Sequence, residues 1–369
     1  MKVGDRQSSQ TVWLLRTVLV VTLALPVVSA VAEDAAGKTT LRLACFNTQV
    51  LTVPGEWSRL ARFRFSPGRL RHLEGVAAVI EAVNPDILVL SEVTSSATVA
   101  TLAEILREKG LGDFRGYHLD GRDSFTGFDV AFLSRVPPDS VAGATVHLFA
   151  PAKMPRLKAV QAGQDALPWT AERYLAPDED GQSHEEIVIL KRHAVSFFTV
   201  AGRRLGLVGL HLKSNPSDAA ANALRMAEVA IVRRIVCREI LPRGYLPIVL
   251  GDLNDYDPDV PMADDYRTTQ TEVLRHLKDI NPEAEGIELV NAAQFMPRIA
   301  DRFSSHWDYN ENGAADGDDV FTLIDHILLD QQFVPGLRRA FICHASSLEV
   351  SDHFPVVVDL DLSVVPQAP

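Results

Sequence analysis

The chain has 369 residues, 47% of them hydrophobic, with 36 Lys and Arg against 48 Asp and Glu and a formal net charge of −12. That acidic balance excludes the broad basic footprint used for passive duplex binding, but not a hydrolase that meets phosphate at a metal-bearing site. Three cysteines exclude a disulfide-rich scaffold; Cys45, Cys237 and Cys343 each sit among apolar residues, as small buried hydrophobes do.

Lys2, Arg6 and Arg16 introduce a weakly polar to apolar run from Thr17 to Ala32, which closes on Ala30-Val31-Ala32. Basic start, apolar middle and small-residue end predict a cleaved secretory signal peptide over residues 1–32, an uncleaved anchor being the alternative. Its removal takes away three Lys/Arg and one Asp, bringing the formal charge to −14. No later run is long and apolar enough to span a bilayer, so the mature chain is expected to be exported, periplasmic or secreted, and monomeric. The remaining length suits one large α/β domain or two small ones.

Strand-like runs then recur at Leu41–Asn47, Asp86–Val93, Phe128–Ser134, Ile187–Val200, Leu205–Leu210, Leu246–Gly251, Thr322–Leu329, Phe341–Leu348 and Pro355–Leu362. Helical spacing separates several of them. Leu73, Val76, Ala77 and Ile80 mark a helix over Leu70–Val83, stopped by Asn84-Pro85. A second is expected over Ala97–Lys109 before Gly110, and a third over Asp218–Ile240, with Leu224, Ala227, Ile231 and Ile235 on one stripe. Helices interleaved with strands predict an α/β protein. Ala150–Glu186 and Asp301–Asp319 fit no regular element; the first reads as a long surface excursion.

The chemistry-bearing residues lie in or just after the apolar runs. Asn47 ends the first, where its amide can ligate a hard cation or hold a carboxylate in place. Glu92 follows six residues of apolar strand, and a buried carboxylate needs a partner or a metal. His211 leads the segment His211-Leu212-Lys213-Ser214-Asn215, which serves equally as a core histidine with a polar loop or as a group that meets an anionic oxygen. Asp252 and Asn254, in Gly251-Asp252-Leu253-Asn254-Asp255, share one side if the backbone stays extended, and together can orient a water and hold a phosphoryl oxygen. Asp325 and His326 alternate across a strand, so only one can join a shared site; Asp325 is the expected orienter of another imidazole and His326 a structural residue. Finally Asp352-His353, at the mouth of the last strand, can bind a divalent metal through the carboxylate and move a proton through the ring.

In this order Asn47, Ser91-Glu92-Val93, His211–Asn215, Gly251–Asp255, Leu323–Leu329 and Ser351–Val356 resemble the endonuclease/exonuclease/phosphatase superfamily, which includes pancreatic-type deoxyribonucleases, exonuclease III-like enzymes and bacterial sphingomyelinases. The resemblance spans roughly residues 39–364. It implies a four-layer α/β sandwich, two packed mixed β-sheets with helices on the outer faces, and a phosphoesterase using Mg²⁺, or alternatively Mn²⁺ or Ca²⁺. By position it implies metal ligation by Glu92, with Asn47 beside it and Asp352 near the ion. It also implies water activation by Asp252, phosphate contact by Asn254, and His211 and His353 flanking the scissile phosphate with Asp325 bonded to His353. A partner carboxylate for His211 is not evident; Asp123 and Asp129 are the candidates. Thr322–His326 departs from the Trp-Cys-Asp-Arg segment of the inositol-phosphatase branch, which counts against polyphosphoinositide substrates.

The leading expectation is thus an exported metal-dependent phosphodiesterase acting on nucleic acid. A phospholipase C or sphingomyelinase-like esterase is the alternative, with Trp169 and Tyr174 of the excursion as the source of lipid contact. A third reading is an inactive family member used as a binding module. Asp308–Asp319 carries Asp, Asn, Asn, Gly, Asp and Asp near the spacing of a calcium loop, and reads either as a Ca²⁺ site or as a solvated acidic loop.

Overall fold

The computed structural model describes residues 39–60, 67–178, 180–263, 271–284, 286 and 288–366; the expected signal peptide, 1–32, lies outside the described residues. Two six-stranded mixed sheets form its centre. The first runs β15(Leu337–Ile342)–β16(Val356–Asp361)–β1(Thr40–Leu51)–β2(Ile87–Val93)–β4(Asp129–Ser134)–β3(Arg115–His118). The second runs β11(Leu289–Asn291)–β14(Asp325–Asp330)–β10(Leu246–Asp252)–β9(Arg203–His211)–β8(His193–Val200)–β5(Val146–His147). Each has one parallel pair near its middle, β1 with β2 and β9 with β10, and antiparallel pairs elsewhere. A parallel pair needs a crossover, supplied by α1(Leu70–Val83) in the first sheet and α4(Ala219–Ile235) in the second.

Alternation along the strands creates the layers. Leu43, Cys45, Val89, Phe132, Phe198, Leu207, Leu250, Ile327 and Val358 point inward and form the core between the sheets. Their neighbours point outward: Ala44, Phe46, Leu88 and Leu133 meet α1 and α2(Ser96–Glu108), while Val208, Leu210, Val249 and Leu328 meet α4 and α5(Val273–Lys278). Strands apolar on both faces are what covering by helices requires. Fully burying each such side chain contributes about 1.5–3 kcal/mol. This is the four-layer α/β sandwich expected from the sequence. The three cysteines are free thiols, Cys45 fully buried between the sheets.

Several boundaries differ from the sequence reading. The run Ile187–Val200 is two strands, β7(Ser183–Ile189) and β8, broken at Leu190–Arg192. Thr322–Leu329 is likewise split into β13(Val320–Thr322) and β14. The third helix ends at Ile235 and widens into a π turn over Val236–Ile240. The Ala150–Glu186 excursion contains a short helix, α3(Leu157–Gln161), and the strand β6(Ala171–Pro177), paired with β7 over seven residues. Trp169 and Tyr174 do not project from it. Trp169 lies 6.0 Å from Phe149 and 5.4 Å from Arg238, and the Tyr174 hydroxyl donates to Glu186. Asp308–Asp319 is the loop joining β12(Ser305–Trp307) to β13. Asp308, Asn310 and Asn312 accept from the loop's own amides, and Asp316 accepts from the Asn310 and Asn312 side chains.

Candidate active site

The site lies where the ends of both sheets meet. On the first sheet the register of β1 against β2 slips between Asn47 and Leu51, and that of β2 against β4 between Ser91 and Val93. These bulges place Gln49, Val50 and Glu92 at positive φ, +49°, +65° and +62°. A β-branched Val in that region is strained, and each such residue costs on the order of 1–3 kcal/mol. The return is direction: the bulge turns the Glu92 carboxylate to the sheet edge, where Oε2 accepts from Val50 N at 3.0 Å and Oε1 lies 3.4 Å from Asn47 Nδ2.

On the second sheet β10 delivers Asp252. The preceding Gly251 has φ +132°, and a Cβ there would lie 2.1 Å from Leu210 O, so the strand can end this way only without a side chain. Asn254 is not extended as the sequence reading assumed. At φ +50° its N–H donates to Asp252 Oδ1 and its side-chain amide donates to Leu212 O at 3.3 Å. A turn, and not strand alternation, therefore brings Asn254 beside Asp252.

At the site two side-chain hydrogen bonds link groups on the first sheet's side to groups on the second. Asn47 Nδ2 donates to Asp252 Oδ2 at 2.9 Å, and His353 Nδ1 lies 2.7 Å from Asp325 Oδ2. The Asn47 oxygen is occupied by Gln49 N–H. Asn47 thus offers the acids its nitrogen, holding carboxylates in place, while its oxygen keeps a second lone pair beside the contact with Gln49. His353 Nε2 lies 4.0 Å from both Asp252 Oδ2 and Asp352 Oδ1. Burial alone would lower the His353 pKa, but the charge and hydrogen bond of Asp325, aided by Asp252 and Asp352, raise it well above the usual histidine range. Burial and then Asp325 push Asp252 up to about 6. Burial and then the Asp352 charge push Glu92 up to about 7.

His211, at the end of β9, puts Nε2 3.5 Å from Asp252 and 4.0 Å from Glu92. Neither expected carboxylate partner reaches it. Asp129 accepts from Gly121 N and pairs with His118 at 3.0 Å, while Asp123 accepts from Thr126. His211 Nδ1 has no hydrogen-bond partner among the described residues, and Arg192 Nη1 stands 3.4 Å from Nε2. Burial and then Arg192 hold His211 well below the ordinary histidine range. His326 faces away, bonded to Asn291 and Asp255 O.

Three supporting residues escaped the sequence reading. Ser304 donates to Asp325 Oδ2 at 2.8 Å and so fixes the carboxylate that holds His353. Ser351 donates to Asn47 O and accepts from His353 N; its place beside Asp352-His353 was the available signal. Arg225, fully buried on α4, donates to Asp255 Oδ2 at 2.8 Å and to Lys213 O at 2.7 Å, tying the loop after His211 to the loop after Asp252. Nothing in the α4 periodicity distinguishes it.

Two neighbouring donor groups at the site suit a cation, apart from a separate cluster of His118, Asp120 and Asp129. Asp252, Asp325 and His353 lie close enough to share one, but His353 Nδ1 and Asp325 are already committed to each other. Glu92 and Asp352 form the alternative, an oxygen-only pair whose mutual repulsion in a low-dielectric cleft a hard divalent ion relieves. The residues present therefore fit such an ion.

The profile of the Endonuclease/Exonuclease/phosphatase family matches residues 46–353. The chain belongs to this family. It is accordingly a phosphoric ester hydrolase, of a family that is divalent-metal dependent. Among solved structures the chain is similar to an AP endonuclease from Archaeoglobus fulgidus, 15% identical with a TM-score of 0.51, over 87% of this chain and 99% of that one. It is also similar to a 3' phosphatase from Neisseria bound to product DNA hairpin, 18% identical with a TM-score of 0.49, over 87% and 99%. A third is TDP2 from D. rerio complexed with single strand DNA product, 13% identical with a TM-score of 0.47, over 87% and 99%. No curated protein matches this chain in sequence.

Proposed function

We propose that this chain is an exported, Mg²⁺-dependent phosphodiesterase that hydrolyses nucleic-acid phosphodiester bonds. The observation that carries the chemistry is the Asp325–His353 pair set 4.0 Å from an Asp252 carboxylate that Asn47 holds across the sheet interface. Asp252, raised towards neutrality, takes a proton from the attacking water while Asn254 meets a phosphoryl oxygen. His353, kept protonated by Asp325, gives its Nε2 proton to the departing oxygen, so the proton count balances across P–O cleavage. Glu92 and Asp352 would hold the cation, whose charge stabilises the developing negative charge on phosphorus-bound oxygens when bound. His211 completes the wall of the site opposite His353.

The choice of nucleic acid rests on the rim. Trp57 and Trp307 are each 67% exposed. Trp57 lines a cleft of about 430 Å³ with Thr94 and Asp123, and Trp307 follows His306, whose N–H donates to Asp352 O. Flat exposed indoles beside a phosphate site suit stacking of unpaired bases, which contributes about 1–3 kcal/mol per base. The lipid reading loses its original support, because Trp169 and Tyr174 are packed. No helix among the described residues is long and apolar enough to cross a membrane, and export rests on the leader-like pattern of residues 1–32.

The test is incubation of the purified protein with single-stranded DNA, plasmid, a choline phospholipid and a generic phosphodiester, each with Mg²⁺ and with EDTA. Mg²⁺-dependent nucleic-acid cleavage, abolished in His353→Ala and Asp252→Asn, is expected. Cleavage of the phospholipid alone would replace the substrate, and activity undiminished by exhaustive chelation would refute the metal dependence.

A further inference from the structure

We propose that His118, Asp120 and Asp129 form a second cation site, distinct from the pair Glu92 and Asp352, which takes Zn²⁺ or a similar transition-metal ion and pins the loop between β3 and β4. The proposal does not depend on the phosphodiesterase reading above. His118 ends β3 and Asp129 begins β4, and the loop that joins them, residues 119–128, carries Asp120. One ligand atom from each of the three lies within 4.8 Å of the others.

Two of the three are already set. His118 Nε2 lies 3.0 Å from Asp129 Oδ2, and both side chains are buried. Each is held from behind: His118 Nδ1 lies 2.9 Å from Ser96 Oγ at the start of α2, and Asp129 Oδ1 accepts from Gly121 N at 2.8 Å. Glycine alone lets the backbone come so close, since a Cβ at position 121 would lie 2.4 Å from Asp129 Oδ1. When Nδ1–H donates to Ser96, Nε2 turns a lone pair on a carboxylate oxygen, and a cation between the two satisfies both. An outer partner that fixes the tautomer in this way is the usual support of a ligating imidazole. Ligands about 2.1 Å from an ion stand about 3.0–3.4 Å apart in octahedral or tetrahedral arrays, so this pair fits without moving. Asp120 is the adjustable member. Its side chain is 94% exposed with Oδ1 4.0 Å from His118 Nδ1, and it closes on the ion by rotating about its own bonds.

The surroundings agree in charge. The three ligands border the cleft of about 430 Å³ that Trp57 lines, where Glu56 and Asp123 add two more carboxylates against the guanidinium groups of Arg59 and Arg122. That surplus of negative charge favours a cation, and the open cleft leaves room for water to complete its coordination. One imidazole with two carboxylates favours Zn²⁺ over Mg²⁺ and Ca²⁺, which take oxygen ligands. A structural histidine–aspartate pair would need His118 and Asp129 but not Asp120.

The experiment titrates Zn²⁺ calorimetrically into the full chain at saturating Mg²⁺, with Tm read in parallel, for wild type, Asp120→Asn, Ser96→Ala, His118→Gln and His353→Ala. The last removes the imidazole of the Asp252–Asp325 group and so separates the two places where Zn²⁺ could bind. Wild type should show a Zn²⁺ binding event that raises Tm and persists in His353→Ala. Asp120→Asn, at an exposed position that folding does not need, should weaken that event at least tenfold with the metal-free Tm unchanged. Ser96→Ala should weaken it by about 10- to 100-fold, the scale of removing a partner of a ligating histidine. His118→Gln should abolish it, and Asp120→Asn decides the matter if that variant does not fold. No Zn²⁺ event beyond one lost in His353→Ala, or an affinity in Asp120→Asn less than tenfold below wild type, overturns the site. Absence of hydrolysis with this binding intact would overturn the phosphodiesterase reading alone.

Discussion

Glu92 is pushed up to about 7 by burial and by Asp352, so cation binding at this carboxylate is linked to proton release. At pH 6 a group with that pKa is about 90% protonated and at pH 8 about 10%, so binding should expel about 0.9 proton from it at pH 6 and about 0.1 at pH 8. Below pH 7 the apparent affinity should fall tenfold per pH unit, about 1.4 kcal/mol each, and above pH 8 it should level off. The sign follows from the raised pKa: the cation competes with a proton that the isolated site retains into the neutral range. Calorimetric titration with Mg²⁺ or Mn²⁺ in two buffers of different ionisation enthalpy reads the proton count directly. In Glu92→Gln the pH 6 release should drop by most of one proton. Equal heats in both buffers at pH 6, or an unchanged release in Glu92→Gln, would refute the linkage.

Three further outcomes follow from particular contacts. Asp325→Asn removes the charge that keeps His353 protonated, so its kcat should fall at least 100-fold with the alkaline limb of the pH profile shifted to lower pH; an unshifted limb would detach His353 from Asp325. Gly251→Ala must place a Cβ 2.1 Å from Leu210 O, and should destabilise by at least about 3 kcal/mol in denaturant melts; a change below 1 kcal/mol would show that β10 ends differently. His193 is held down to about 3 by burial while its Nε2 accepts from Phe149 N. The unfolded chain therefore binds the extra proton between about pH 6.5 and 3, and stability is lost as pH falls through that window. From pH 7 to 5 this residue should cost about 2 kcal/mol, a loss that His193→Gln should lack and that equal acid sensitivity of both proteins would disprove.

Much of this architecture is legible in the sequence. The α1 helix runs Leu70–Val83 as its spacing and the Asn84-Pro85 stop require, because an amphipathic helix on one sheet face leaves an unambiguous period. The segments that carry Glu92, His211, Asp252, Asp325 and His353 were visible because polar residues stand out at the ends of apolar strands. What was hidden lay in backbone geometry and in polar loops. The positive φ of Glu92 has no composition signature, and that of Asn254 only the general preference of Asn for this region. β6 was missed because Ala171–Pro177 alternates too weakly to separate from a polar excursion, and Leu190–Arg192 was swallowed by apolar neighbours. The partner of His211 was sought among acids, since attraction between opposite charges is the natural expectation; the chain set Arg192 there.

The hydrogen bonds that join the two sides of the site, Asn47 to Asp252 and His353 to Asp325, mean that the spacing of the inner core is also the spacing of the reacting groups. Exchanging Leu43, Val89 or Leu250 for another apolar residue of different volume would move one sheet against the other by tenths of an ångström. Such a change costs about 1–5 kcal/mol of stability and also misaligns groups whose tolerance is of the same order. The inner layer therefore carries two constraints and the helix-facing layers one. Random substitutions screened for turnover should accumulate more on the exposed faces of α1 and α4, away from Arg225, than in the interior between the sheets, and hydrolysis should fade during gentle denaturation before any loss of secondary structure is seen.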